Sequence, residues 1–130
     1  MRLCFSVLLA MLLATPAFAR PDACNAFDGA AVVSRDGDYI GKISGKFDPD
    51  SIFNQFGTYG SKFSTTSVWN KFGEYGGQYS DKSAFNKYAS NAPFIVANGK
   101  VIAVPTANKA ESGAVNPIVL AVTCYDYEPD

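Results

Sequence analysis

A unit of sixteen residues, written almost three times in succession, constrains the fold of this chain more than any other feature. The copies begin at Ser51, Ser67 and Ser83, and the third copy stops after Tyr88. Each copy has serine first, an aromatic residue two positions later and asparagine next, and glycines follow in the first two copies. Sixteen residues are too few for the two-helix unit of common solenoids. The block therefore predicts short helical turns joined by tight loops.

The aromatic residues of the block predict a packing role. In each copy two rings are three residues apart, which places both on one side of a helical turn whose N-cap is the serine. Each ring can bury on the order of 150–250 Å², area that a small domain needs. The alternative is an aromatic platform for a sugar or peptide. The paired rings are Phe53 and Phe56, Trp69 and Phe72, and Phe85 and Tyr88.

Asparagine recurs at one position of each copy, as Asn54, Asn70 and Asn86. A periodic amide beside aromatic rings could bind glycan hydroxyls. Asparagine side chains also readily bond nearby backbone groups, and a structural role is what repetition favours. We therefore expect these amides to bond the backbone of a neighbouring loop.

Two β-hairpins flank the block. Residues 30–33 and 39–43 are joined by an Asp-Gly turn, and residues 93–97 and 100–104 by Asn98-Gly99, a type I′ signal. Gly41 inside the first hairpin indicates a bulge or a close backbone contact. The apolar run of residues 117–124 predicts a central final strand. The expected fold is mainly β, bordering on α+β, with about five mostly antiparallel strands and the block of residues 51–92 inserted between the hairpins.

The N-terminus has the pattern of a secretory signal peptide. Arg2 precedes an apolar run of residues 3–13, and Ala17-Phe18-Ala19 is an A-x-A cleavage site. We expect a mature single domain of residues 20–130, exported to the periplasm or the extracellular medium, with no transmembrane segment. Cys24 and Cys124 would remain and should form a disulfide in an oxidising compartment. Closing a loop of about 100 residues would stabilise the fold by roughly 4–5 kcal/mol.

The repeats carry a resemblance. With residues 38–44 and the Asn98-Gly99 hairpin, they resemble a group of short exported bacterial proteins of unknown function. The unit of that group is similar to Ser-x-Trp/Phe-Asn-x-Tyr/Phe-Gly-x-Tyr-Gly-Ser-x-Tyr-Ser. The resemblance covers about residues 38–108, and this chain has Phe63 and Gly77 where tyrosine and serine are usual. The group has no established activity, so the resemblance implies no function or site residue.

The composition argues against catalysis. The chain has no histidine, which excludes Ser-His-Asp and Cys-His arrangements and histidine metal sites. The pairs Asp36/Asp38 and Asp48/Asp50 could bind calcium or serve glycoside hydrolysis, but turn and capping roles explain them as well. We expect no enzyme activity, no metal and no cofactor. Once Arg2 is removed, ten basic and twelve acidic residues remain, and they are scattered along the sequence. This distribution also argues against a nucleic-acid or anionic-membrane surface.

The predicted function is that of an exported binding module of the cell envelope or extracellular space, with an envelope glycan or a secreted protein as partner. The expected ligand-binding residues are the loop tyrosines Tyr59, Tyr75 and Tyr79, because tyrosine combines an apolar face with a polar tip. The neighbouring glycines would let ligand and backbone approach closely. The alternative is a structural or protein-interaction protein, such as an inhibitor of a secreted enzyme.

Overall fold

A five-stranded sheet carries the fold in the computed structural model, which describes residues 20–129. The predicted signal peptide, residues 1–19, lies outside the described residues. A short 3-10 helix, Asp22–Ala26, precedes the strands, and a nine-residue α-helix, α1 (Pro117–Tyr125), follows them. The strands are β1 (Ala31–Val33), β2 (Tyr39–Lys42), β3 (Phe94–Ala97), β4 (Lys100–Pro105) and β5 (Ala114–Val115).

The order of the strands across the sheet is β2-β1-β3-β4-β5. The pairings β1–β2, β1–β3 and β3–β4 are antiparallel, and β4–β5 is parallel. The prediction of a mainly β fold with mostly antiparallel strands is therefore confirmed.

Both predicted hairpins form, and their turns have the expected backbone. Asn98 and Gly99 have φ of +52° and +75°, the two positive values that a type I′ turn requires. Gly41 has φ +130°, and a Cβ there would lie 2.5 Å from the Cγ2 of Ile52 and 2.9 Å from the Cβ of Tyr59. The expected close contact at Gly41 thus exists, and it lets the repeat block approach β2.

The predicted strand over residues 117–124 is wrong, because this run is α1. The Asn116 side chain accepts hydrogen bonds from the backbone N–H of Ile118 at 2.9 Å and of Val119 at 3.4 Å. Pro117 occupies the first turn, where its fixed φ suits a helix and its missing N–H is not needed. This strong N-terminal cap outweighs the β preference of the branched residues that follow. The fifth strand is instead the short β5.

Cys24 and Cys124 form the predicted disulfide. Their Cα atoms lie 5.5 Å apart across a sequence separation of 100 residues. The bond joins the N-terminal 3-10 helix to α1, so it fastens the two ends of the described chain together.

The repeat block is a spiral of consecutive turns that contains no helix. Most turns are closed by a backbone N–H that donates to the carbonyl three residues earlier, as from Asn54 to Ser51 and from Gly57 to Asn54. One longer step, from Ser61 to the carbonyl of Gly57, spans four residues. Two short steps, one long step and two short steps complete the sixteen-residue unit. The prediction of short turns and tight loops is correct, but the turns are not helical.

Serine closes these turns in a way that the helical interpretation missed. Ser51, Ser67 and Ser83 are fully buried. The hydroxyl of Ser67 accepts a hydrogen bond from the N–H of Trp69, two residues later, at 3.1 Å. Ser51 and Ser83 make the same bond to the following ring residue. The serines are therefore turn-closing residues of the core.

The spiral begins earlier than the sequence suggests. The N–H of Asp48 donates to the carbonyl of Gly45, and the N–H of Ser51 donates to that of Asp48. These are the steps that precede Ser67 in the next copy. The Lys46-Phe47 pair consequently occupies the register of Lys62-Phe63.

One hydrophobic core joins the sheet, the spiral and α1. It contains sheet residues such as Ile40 and Ile95, spiral residues such as Phe53 and Trp69, and Tyr125 of α1. The rings of Phe53 and Tyr125 are stacked with their centroids 4.5 Å apart. The spiral is therefore an integral layer of the domain.

Candidate ligand-binding grooves

Each pair of rings in the spiral is divided between core and solvent. Phe53 and Trp69 are buried, with 0% and 6% of their surface exposed, whereas Phe56 and Phe72 are 96% and 100% exposed. The expectation that both rings of a pair pack into the core is therefore wrong. Three residues make nearly one turn of a helix, so side chains three residues apart lie on one side of it. In this spiral three residues make one complete turn of the chain, and the next turn faces a different direction. The second ring of each pair consequently leaves the core.

Six exposed rings of the spiral follow two registers of sixteen residues. Five of them lie in the repeat copies, and Phe47 lies in the early turn that precedes them. The residue before each exposed ring is lysine or glutamine. The first register comprises Phe47, Phe63 and Tyr79, and the second comprises Phe56, Phe72 and Tyr88.

The periodic asparagines hold the rings of the second register in place through the backbone. The Oδ1 of Asn70 accepts a hydrogen bond from the N–H of Phe72 at 3.0 Å, and its Nδ2 donates to the carbonyl of Ser64 at 3.0 Å. Asn54 and Asn86 make the equivalent pair of bonds in their own copies. The prediction that the amides bond the backbone of a neighbouring loop is confirmed, so these amides are structural groups.

The first groove lies between the exposed rings of the first copy. Phe56 and Phe63 line it together with Trp69, and its cavity volume is about 420 Å³. Gln55 and Lys62 stand at its polar side. The C-terminal residues Tyr127, Glu128 and Pro129 also line it, so the chain's own tail narrows this groove.

The second groove repeats the first one sixteen residues later. Phe72 and Tyr79 line it in place of Phe56 and Phe63, and Phe85 of the third copy stands where Trp69 stands in the first groove. Its cavity volume is about 790 Å³, and Ile118 of α1 lies at one side. The two grooves therefore present the same arrangement of rings twice, and Trp69 lines both of them.

The structure separates the three tyrosines expected to bind a ligand. Tyr79 is 88% exposed and lines the second groove. Tyr59 is half-buried and contacts Tyr39 edge to face, with 5.3 Å between the ring centroids. Tyr75 is a core residue, and burial raises the pKa of its hydroxyl. Tyr59 and Tyr75 line neither groove, so their buried faces belong to packing.

Sequence reasoning missed the phenylalanines that line the grooves, because phenylalanine is usually a core residue. A signal for them was present in the sequence. The Lys/Gln-aromatic dipeptides recur at sixteen-residue intervals, and they begin at Lys46 before the first recognised copy. A recurring polar residue directly before a ring favours an exposed position.

The aspartate pairs considered for calcium or catalysis are engaged in ion pairs and turns. Asp36 contacts the Nζ of Lys82 at 2.7 Å, and Asp48 contacts that of Lys42 at 2.8 Å. The hydrogen bond from Lys42 lowers the pKa of Asp48. Asp48 also accepts the N–H of Asp50 at 2.9 Å. Residues 20–129 contain no cluster of three potential metal-ligating side chains.

Three of the lysines near the exposed rings differ from several other cations of the described chain in that they form no salt bridge. Lys71 lines the second groove. Lys46 and Lys87 have Nζ atoms 5.7 Å and 5.2 Å from the centroids of Phe47 and Tyr88. Within residues 20–129 these three lysines form no salt bridge. Other cations of the described range do form salt bridges, among them Arg20, Arg35, Lys42 and Lys82.

Comparison of the chain with protein families, curated proteins and solved structures finds no match. No helix within residues 20–129 has the length and apolar character needed to cross a membrane. The function must therefore be inferred from the chemistry of the grooves.

Proposed function

We propose that this chain is a non-enzymatic binding module that is exported to the periplasm or the extracellular medium and holds an envelope glycan along its two grooves. The observation that carries the proposal is the repetition of exposed rings, Phe56 with Phe63 and Phe72 with Tyr79, around equivalent grooves.

The exposure of these rings favours a binding role. Soluble monomers rarely leave large contiguous apolar patches in water, and such patches commonly mark binding sites. Here Phe72 is 100% exposed and Tyr79 is 88% exposed, while the neighbouring Trp69 is buried. The local structure also fixes the exposed position, because Asn70 bonds the backbone of Phe72. The rings are thus displayed by well-bonded turns.

The shape of the grooves suits sugars. A pyranose has C–H groups on its faces and hydroxyls at its edge, so it matches a site with apolar walls and a few polar groups at the margin. In the second groove Phe72 and Tyr79 supply the apolar walls, and Gln78 and Ser80 supply polar groups. Two equivalent grooves suit a polymer, because linked weak contacts strengthen one another through effective concentration.

The cysteines support a location outside the cytoplasm. Cys24 and Cys124 are joined, and structural disulfides persist in oxidising compartments. The signal-peptide pattern of residues 1–19 agrees with export. The engagement of Asp36 and Asp48, one carboxylate of each candidate pair, in ion pairs supports a binding role over catalysis.

A protein partner is the second candidate, and α1 is the observation that favours it. Ile118, Val119 and Val122 are 44%, 57% and 52% exposed on this helix. Ile118 also lines the second groove, so the apolar helix surface continues the aromatic surface. A secreted protein, such as an enzyme that this chain inhibits, would cover such a face.

The test is retention of the secreted protein on insoluble envelope polysaccharide. Phe72→Ala/Tyr79→Ala should abolish retention, because both walls of the second groove are lost. Tyr88→Ala is the matched control, since Tyr88 is 78% exposed but lines neither groove. Each variant must keep its disulfide and its cooperative unfolding. Equal retention of the double variant and the wild type, or no retention of either, would refute the glycan proposal.

The same assay separates the protein-partner alternative. Val119→Ser/Val122→Ser changes the exposed face of α1 and leaves the groove walls in place. This variant should be retained on polysaccharide like the wild type. If it loses retention while Phe72→Ala/Tyr79→Ala keeps it, the helix face is the binding surface and the grooves are not.

A further inference from the structure

The charges around the exposed rings differ in sign from the chain as a whole. The expected mature chain has ten basic and twelve acidic residues. Yet four of the six exposed rings of the spiral follow a lysine, two follow a glutamine and none of these six follows an acidic residue. The sixteen-residue period therefore places a lysine or a glutamine, and no carboxylate, directly before each of these rings.

The second groove shows this arrangement most directly. Lys71 is the one charged residue among those that line it. Lys71 is exposed and forms no salt bridge with any residue of the described range 20–129. An ammonium group beside apolar walls favours a ligand that carries an anion near its apolar face.

The first groove contains a carboxylate of the chain itself. Glu128 of the C-terminal tail lines this groove together with Lys62 and the two exposed rings, Phe56 and Phe63. Sixteen residues later, the second groove has the same walls but no carboxylate among its lining residues. The tail thus displays, within the molecule, the combination of carboxylate, lysine and rings that a bound acidic ligand would form.

From these observations we infer that the glycan bound by this chain is an acidic polysaccharide, a carboxylate of which pairs with Lys71 of the second groove. The inference rests on the proposed glycan-binding function and specifies its ligand class. Neutral glycans would use the ring walls alone. Acidic glycans would use the walls and Lys71 together.

The groove shape favours a polysaccharide over an anionic membrane. Rings that insert into lipid need to protrude as a convex surface that reaches the acyl region. Here the rings flank concavities whose lining includes Gln78 and Ser80, and Trp69 is buried between them. Polar groups inside a concavity would lose water without gaining partners against acyl chains.

The experiment compares the binding of one oligosaccharide in a charged form and in an uncharged form. The emission of Trp69, which lines both grooves, is titrated with oligogalacturonate and with its fully methyl-esterified form. We expect the acidic form to bind about tenfold more tightly at low salt, the factor that one charge-assisted hydrogen bond supplies. The preference should fall when salt rises from about 0.1 M to about 1 M, because the Debye length shrinks from about 10 Å to about 3 Å.

Matched variants assign the preference to residues. Lys71→Gln should bind both forms alike, with the affinity for the esterified form unchanged. Lys100→Gln is the control, because Lys100 is exposed at a hairpin turn and lines neither groove. It should retain the preference of the wild type.

Each outcome decides a separate point. Equal affinity for the two forms would overturn the acidic-ligand inference and leave glycan binding standing. If Phe72→Ala/Tyr79→Ala still binds both forms like the wild type, the grooves are not the binding site. A wild type that binds phosphatidylglycerol vesicles and neither oligosaccharide would overturn the inference in favour of a lipid surface. A preference that survives in Lys71→Gln would remove Lys71 from the site and overturn the inference as stated.

Discussion

Trp69 donates a 2.6 Å hydrogen bond from its indole Nε1 to the backbone carbonyl of Ile52, seventeen residues earlier in the chain. The bond joins the middle copy of the spiral to the first copy inside the core. Phe85 of the third copy packs on the same ring, with 5.4 Å between centroids. Because Trp69 also lines both grooves, the residue that holds the copies together also contributes to the walls of both grooves.

Replacement of this ring should separate its two contributions to stability. Trp69→Ala should lower the free energy of unfolding by roughly 3–5 kcal/mol, because it creates a cavity. Trp69→Phe should cost about 1–3 kcal/mol, since it keeps much of the apolar volume but leaves the Ile52 carbonyl without its donor. Denaturant unfolding measures both. Native wild-type emission should be blue-shifted and move to the red on unfolding, and emission already at the solvent-exposed limit would contradict burial.

Both hydrogen bonds of the Asn70 side chain, the one that it donates and the one that it accepts, should contribute to the free energy of unfolding. Asn70→Asp keeps an oxygen for the N–H of Phe72 but removes the hydrogen bond to the Ser64 carbonyl. We expect a loss of about 1–3 kcal/mol in the free energy of unfolding. Gln78→Glu makes the same chemical change at an exposed position and should stay within about 0.5 kcal/mol of the wild type. Similar small effects in both variants would contradict the structural role of Asn70.

Gly76 should tolerate no side chain. A Cβ there would lie 2.6 Å from the carbonyl oxygen of Val68, and it would also clash with the carbonyl of Asn70. Both obstacles are backbone atoms. Gly76→Ala should therefore lower the melting temperature strongly and reduce the free energy of unfolding by about 1–3 kcal/mol or more. A Cβ at Gly45 would meet nothing within 4 Å. Gly45→Ala should therefore melt at or slightly above the wild-type temperature, and equal melting of the two variants would argue against the tight spiral.

Removal of the disulfide should weaken the whole domain. Cys24→Ala/Cys124→Ala should lose about 4–5 kcal/mol, the chain-entropy value for a loop of this length. Reductant should destabilise the wild type by a similar amount and leave the double variant unchanged. Urea unfolding with and without reductant provides the measurement. An effect of reductant on the variant would show that the wild-type loss has another cause.

The hairpins and the disulfide were predictable because their signals are local or arithmetic. Asn98-Gly99 requires two positive φ angles, and the two cysteines that remain after removal of the predicted signal peptide allow one pairing. The helix α1 was missed because β-branched residues such as Val119 favour strands. The Asn116-Pro117 start signal, which outweighs that preference, is only two residues long.

The division of the rings between core and solvent was not predictable from spacing alone. A separation of three residues, as between Trp69 and Phe72, puts side chains on one side of a helix. In a spiral of three-residue turns the same separation puts one ring inside and the other outside. The position of each ring depends on the turn geometry. Ser67 and Asn70 set this geometry by accepting hydrogen bonds from the backbone N–H two residues later, and a helical interpretation does not include these bonds. The grooves could therefore be located only from the fold.

The bond between Cys24 and Cys124 also changes what a protease can achieve. The exposed rings of the spiral, such as Phe72 and Tyr79, are side chains that chymotrypsin-like enzymes prefer, and they lie between the two cysteines. A single cut at either ring would convert the chain into two fragments that stay covalently attached through the sulfur atoms. The fragments could then remain docked across the shared core. A nicked molecule would run intact on a non-reducing gel and as two pieces after reduction, so release of the fragment that carries the grooves requires a second cut or a reductant.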